Sequence, residues 1–152
     1  MESVTNSVII RGPAGPVFDL VTSARFWIRW HPATQSVGGV VERPYQLNDA
    51  VHERGQIAGV PFMVTWRVVE HSRPTRIVIH SQDPPARILY AFAPQNGGTM
   101  FTREVQYDAA IFDTLGSHVG DIQTLMYQQS EQALARLKQL VEEILAAESQ
   151  MT

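Results

Sequence analysis

The chain has 152 residues, 44% of them hydrophobic and 18% charged, with a formal net charge of -3 and no cysteine. That length fits one domain spanning 1–152 with a hydrophobic core of its own. It excludes disulfide scaffolds, thiolate zinc sites, iron–sulfur clusters and cysteine nucleophiles, and the mild acidity without a block of like charge argues against a nucleic-acid footprint.

In chain order, Val4 to Arg11 has a β-branched centre (Val8, Ile9, Ile10) and stops at Gly12-Pro13, which predicts a first strand. Pro13 to Ser23 places Val17, Phe18, Leu20 and Val21 on one helical face, with prolines confined to its first turn. Arg25 to Trp30 reads as a second short, aromatic helix that Pro32 ends. From Thr34 to Asp108, Pro, Gly, Asn and Asp punctuate the sequence every eight to twelve residues, the spacing of an antiparallel meander. The predicted strands are 34–43, 50–57, 60–71, 76–82, 86–93 and 99–108, making seven with the first. Gly116 to Glu148 carries Ile122, Met126, Gln129, Ala133, Leu137, Leu140 and Ile144 at spacings of three and four, the stripe of a long amphipathic helix. Beyond Ala133 the stripe is widened by Leu134, Val141 and Leu145. Before it, Gln123, Tyr127, Gln128, Gln129 and Ser130 crowd the apolar positions, a poor match to a dry core.

Four local strings in this order carry a resemblance. They are Pro13-Ala14-Gly15-Pro16-Val17-Phe18; Trp30-His31-Pro32; Val69-Glu70 followed by Arg73-Pro74-Thr75-Arg76-Ile77; and Tyr90-Ala91-Phe92-Ala93-Pro94 followed by Gly97-Gly98-Thr99. Together with the order β-α-α-β(6)-α, they make the chain resemble the START/Bet v 1-like (SRPBCC) superfamily, in its polyketide cyclase/dehydrase-like branch. The resemblance implies an α+β helix-grip fold, with a seven-stranded antiparallel sheet wrapped around the C-terminal helix and an apolar cavity between them. One departure is Asn48-Asp49, where that branch usually carries a glycine before the third strand. The superfamily shares no catalytic motif, so the resemblance implies a pocket and leaves the reaction open.

Strand alternation then proposes which side chains face the helix. In 60–71 the more apolar set is Val60, Phe62, Val64, Trp66 and Val68. If Ala58-Gly59 is a two-residue hairpin turn, Ile57 pairs with Val60 and the inward set continues through Gly55, Glu53 and Val51. Ile77, Ile79 and Ser81 point inward in 76–82; Ile88, Tyr90 and Phe92 in 86–93; Phe101, Arg103, Val105 and Tyr107 in 99–108. The candidate ligand-binding residues are therefore Glu53, Phe62, Val64, Trp66, Ile79, Ser81, Tyr90, Phe101, Arg103, Ile122, Met126 and Gln129. Glu53 and Arg103 stand out as charges among apolar neighbours, since a buried unpaired charge costs several kcal/mol. They form the polar end of a greasy pocket, or a structural ion pair, or, with the strand register shifted, a pair of solvent-facing charges. His31 is expected to cap the short helix, with Trp30 sealing the sheet edge. His52, His71 and His80 fall on outward faces, and His118 near the cavity mouth.

No two histidines stand at helical ligand spacing, and no His-Glu-x-x-His, phosphate-loop, dinucleotide or Gly-x-Ser-x-Gly pattern occurs. Neither a metal nor a cofactor is expected. No apolar run approaches the ~20 residues of a membrane span, and the start Met1-Glu2-Ser3-Val4-Thr5-Asn6 lacks a signal-peptide pattern, so a cytoplasmic protein is expected. Three functions fit. The first is binding of a small hydrophobic or aromatic molecule, such as a lipid or polyketide. The second is a cyclase or dehydratase using acid–base chemistry in the same cavity, with Glu53, Arg103 and Tyr90 as its candidate catalytic groups. The third is a co-chaperone-like interaction module, and either a monomer or a homodimer suits all three.

Overall fold

The computed structural model describes residues 1–108, 110 and 121–150. Strand β1 (Glu2–Ile10) leads into helix α1 (Ala14–Val21), a 3-10 turn (Ala24–Phe26) and the single-turn helix α2 (Trp27–Trp30). Six strands follow: β2 (Thr34–Gly39), β3 (Ala50–Ile57), β4 (Val60–Ser72), β5 (Arg76–Gln82), β6 (Pro85–Gln95) and β7 (Gly98–Tyr107). The long helix α3 covers Ile122–Gln150. All neighbouring strands are antiparallel, in the order β1-β7-β6-β5-β4-β3-β2. This is the helix-grip architecture, a seven-stranded curled sheet with one long C-terminal helix. The predicted first strand and the predicted strand 34–43 differ from β1 and β2 at their ends, where exposed, weakly alternating residues give no sharp stop.

Local chemistry fixes the register. Ala58 and Gly59 take φ of 53° and 81°, a two-residue turn of the type that matches strand twist, and Ile57 pairs with Val60. Asn48 has φ of 71°, the left-handed conformation that glycine adopts most readily and that Asn tolerates. The departure at Asn48-Asp49 therefore keeps the backbone bend. The Asn48 N–H donates to the Val68 carbonyl at 2.9 Å.

One bulge corrects the alternation. Pairing shifts between Val68 and Glu70, so that Val68 opposes Ile79 while His71 opposes Ile77. The extra residue turns every later β4 side chain to the other face. His71, expected outside, instead packs edge-on against the Phe18 ring of α1 at 5.5 Å.

The core runs between the inner sheet face and the second half of α3, where Ala133, Leu134, Leu137, Leu140 and Val141 are buried. None of the α3 residues before Ser130 is buried, in keeping with the mixed first half of the stripe. Helix α3 also covers the free edge of β1. Gln123 donates to the Ser3 carbonyl at 2.9 Å and Lys138 to the Ile9 carbonyl at 2.7 Å. Occupying edge carbonyls in this way removes a template for strand-to-strand aggregation.

Candidate functional site

A cavity of about 290 Å³ lies where α2 and the start of α3 face the inner side of the sheet. Its walls follow from the two-residue period of the strands. Phe62, Val64 and Trp66 come from β4, Ala86, Ile88 and Tyr90 from β6, and Arg103, Val105 and Tyr107 from β7. Met126 of α3 and Trp27 and Trp30 of α2 complete them. Ile57, Val60 and Pro61 of the β3–β4 turn also line the cavity, and Val60 is exposed, so the cavity opens there. The lining is predominantly apolar, and its polar groups are few.

Those polar groups are His31, Thr34, Glu53, Tyr90, Arg103 and Tyr107. Glu53 is only 7% exposed and both its oxygens are engaged. Oε1 accepts from the Trp66 indole at 2.9 Å, and Oε2 accepts from the Thr34 hydroxyl. Burial pushes the Glu53 carboxyl above the ordinary carboxylate value, opposed by these two hydrogen bonds and by the charge on Arg103. Arg103 is 5% exposed. Its Nη1 donates to the Ser130 hydroxyl at 3.2 Å, and its guanidinium lies 5.9 Å from the Trp30 ring centroid. Its Nε is buried without a partner. Among the described residues the ion pairs are Arg43–Asp49, Arg73–Asp19, Arg76–Glu70 and Lys138–Glu142, so Arg103 has none. Glu53 and Arg103 therefore make no direct ion-pair contact, although the Arg103 charge acts on the Glu53 carboxyl.

His31 follows α2, its N–H donating to the Trp27 carbonyl at 2.8 Å, and its Nδ1 lies 3.1 Å from the Thr34 hydroxyl. Burial, with Arg103 nearby, lowers its pKa to about 3, which keeps the ring neutral. Burial likewise raises the phenols of Tyr90 and Tyr45, the Arg103 guanidinium opposing the rise at both. Tyr45 stacks edge-on to Trp27 at 6.1 Å, and the Trp30 indole nitrogen is buried without a hydrogen-bond partner.

The structure brings seven of the twelve sequence-derived candidates to this cavity: Glu53, Phe62, Val64, Trp66, Tyr90, Arg103 and Met126. The other five are elsewhere. Ile79, Ser81 and Phe101 point inward but are buried in packing, Phe101 against Tyr90 at 5.3 Å and Phe92 at 5.1 Å. Ile122 and Gln129 are half-buried on α3 and do not reach the lining. His118 lies outside the described residues. Sequence reasoning missed Thr34 and Trp27; His31 is the C-cap of α2, as expected, and with Trp30 it also lines the cavity, which sequence reasoning did not foresee. The Trp30-His31-Pro32 string ending a one-turn helix was the available signal.

Among the described residues, no helix is long and apolar enough to cross a membrane. No functionally curated protein matches the chain. Solved structures share the fold at low identity. TTHA0849 from Thermus thermophilus is 17% identical with a TM-score of 0.75, over 96% of this chain and 99% of that one. The di-domain ARO/CYC BexL from the BE-7585A biosynthetic pathway is 23% identical with a TM-score of 0.68, over 93% of this chain and 50% of that one. Ara h 8.0201 is 11% identical with a TM-score of 0.63, over 92% and 97%. The family model described as polyketide cyclase / dehydrase and lipid transport matches residues 1–142, nearly the whole length. The chain belongs to that family.

Proposed function

We propose that this protein binds a small apolar or aromatic molecule in the cavity between the sheet and α3. One observation carries the reading. The lining of a mostly apolar cavity includes a linked polar group, in which Thr34 contacts Glu53 and His31, and Arg103 bonds to Tyr90 and acts on Glu53. Apolar walls with a few convergent polar groups are the usual design of a small-molecule site, with burial supplying affinity and the polar end fixing orientation. Phe62, Val64, Trp66 and Met126 supply the apolar contact in this reading.

The test is amide and methyl NMR of the whole chain during titration with naphthalene-ring compounds. Shifts confined to the cavity lining, and lost in the cavity-filling variant Val64→Trp, support the reading. Saturable shifts elsewhere, or none, refute it.

A second reading is acid–base catalysis in the same cavity, as the cyclase/dehydrase branch of the family suggests. The observation favouring it is the buried Glu53 carboxyl, raised above its ordinary value beside Arg103 and Tyr90. A group tuned this way can move a proton next to an oxyanion donor. It is tested by hydrogen–deuterium exchange of an enolisable diketone. The wild type accelerates exchange and Glu53→Gln does not; equal rates in the two would refute it.

A further inference from the structure

We infer that the molecule this cavity takes is an anion: a flat apolar acid whose carboxylate or phenolate pairs with the Arg103 guanidinium. This rests on the binding reading above and adds the charge of the ligand. The two buried charges of the cavity are satisfied to different degrees.

Glu53 is fully occupied, its two oxygens taken by the Trp66 indole and the Thr34 hydroxyl. Arg103 is not. A guanidinium has five N–H donors and always carries its charge. Here Nη1 donates to the Ser130 hydroxyl, while Nε is buried and unpartnered. The Trp30 ring at 5.9 Å gives at most a modest cation–π contact. No carboxylate pairs with Arg103 among the described residues. Its other polar neighbours are a neutral His31, the Tyr90 phenol, which shares a hydrogen bond with the guanidinium and is pushed up by burial, and Glu53, which feels the Arg103 charge without contacting it; none of them is a carboxylate in direct contact.

The cavity thus presents a desolvated cation with no carboxylate in contact, on a lining whose other polar groups are few. A neutral ligand that displaced water from this end would leave the guanidinium unpaired, the costly arrangement for a buried charge. An anionic oxygen pairs with it, and the fork of donors favours a planar, two-oxygen group. The same apolar walls oppose a second charge on the ligand, so a monoanion with a hydrophobic body fits best. The chain's net charge of -3 does not attract anions over distance. The selection is local, at Arg103.

The experiment is isothermal titration of the whole chain, at neutral pH, with naphthoate and with its neutral near-isostere acetylnaphthalene. In the wild type, naphthoate is expected to bind at least ~10-fold more tightly than the ketone. Arg103→Met should erase that preference by weakening naphthoate, with the ketone changed by no more than about twofold. Arg103→Lys, which keeps the charge, should retain part of the preference and serves if the Met variant fails to fold. Ketone binding as tight as naphthoate in the wild type overturns the inference and leaves the binding reading intact. Equal weakening of both probes by Arg103→Met also overturns it. If neither probe binds, the binding reading fails and the inference with it.

Discussion

Glu53 and Arg103 share one end of one cavity, both more than nine-tenths buried, and do not form an ion pair. Each is held by neutral partners: an indole and a hydroxyl on the acid, the Ser130 hydroxyl and the Tyr90 phenol on the base. A directly paired acid and base would close on each other and leave no charge to offer a ligand. Separated, they interact only through space, the Arg103 charge favouring the ionised Glu53 carboxyl.

The raised Glu53 pKa makes stability depend on pH with a definite sign. The folded state holds the Glu53 proton to higher pH than the unfolded state does. The associated stability is therefore complete below the unfolded value of 4.5 and is lost as pH rises through the folded value. Glu53→Gln removes this loss. Denaturation across a pH series should show the variant gaining on the wild type as pH rises above 4.5; a gap independent of pH would contradict the raised value.

Trp66→Phe keeps an aromatic wall and removes the indole donor to Glu53 Oε1. The expected cost is about 1–3 kcal/mol, the range for a buried acceptor left unsatisfied. The carboxyl should also titrate at still higher pH, because a hydrogen bond that favours its charged form is gone. Carboxyl NMR of Glu53 in both proteins checks the direction.

His31 has the opposite linkage. Its folded pKa of about 3 lies below the unfolded 6.5, so its contribution is present above 6.5 and is lost as pH falls towards 3. Within that window the wild type should lose up to about 1.4 kcal/mol per pH unit from this group. His31→Asn should flatten the acid limb of the stability profile measured by urea denaturation. An unchanged limb would mean that the ring titrates near its ordinary value.

Gly55→Ala tests the packing that positions Glu53 two residues away. A Cβ at Gly55 would sit 2.0 Å from the Ala33 carbonyl oxygen and 2.8 Å from the Phe62 ring. The first contact is with backbone, which no rotamer relieves. Overpacking of this kind costs about 1–3 kcal/mol or more, and thermal denaturation should show it. Because Phe62 lines the cavity, naphthoate affinity should fall as well.

Much of this arrangement was legible in the sequence, for a physical reason. Alternation with period two, anchored on the Ala58-Gly59 turn, put Glu53, Phe62, Val64 and Trp66 on one face, and the same rule put Tyr90 and Arg103 there. Alternation tells inside from outside, though it does not tell a cavity wall from packed core. Ile79, Ser81 and Phe101 point inward like their neighbours, and the Tyr90, Phe92 and Phe101 rings fill the space around Phe101. A bulge breaks the period without leaving a Gly or Pro signature, which is why His71 emerged on the other face. His31 and Trp30 belong to a helix of one turn and its cap, whose orientation across the sheet is set by tertiary packing. Four residues carry no period from which to read it.

Binding of an apolar anion at Arg103 is tested most directly by a crystal structure of the protein with naphthoate bound. The rings should lie between Phe62, Trp66 and Met126, with the carboxylate within hydrogen-bond distance of Arg103 and the Thr34 and Trp66 contacts to Glu53 retained. Naphthoate bound outside the cavity, or inside it with the carboxylate turned towards the opening at Val60, would contradict the proposal.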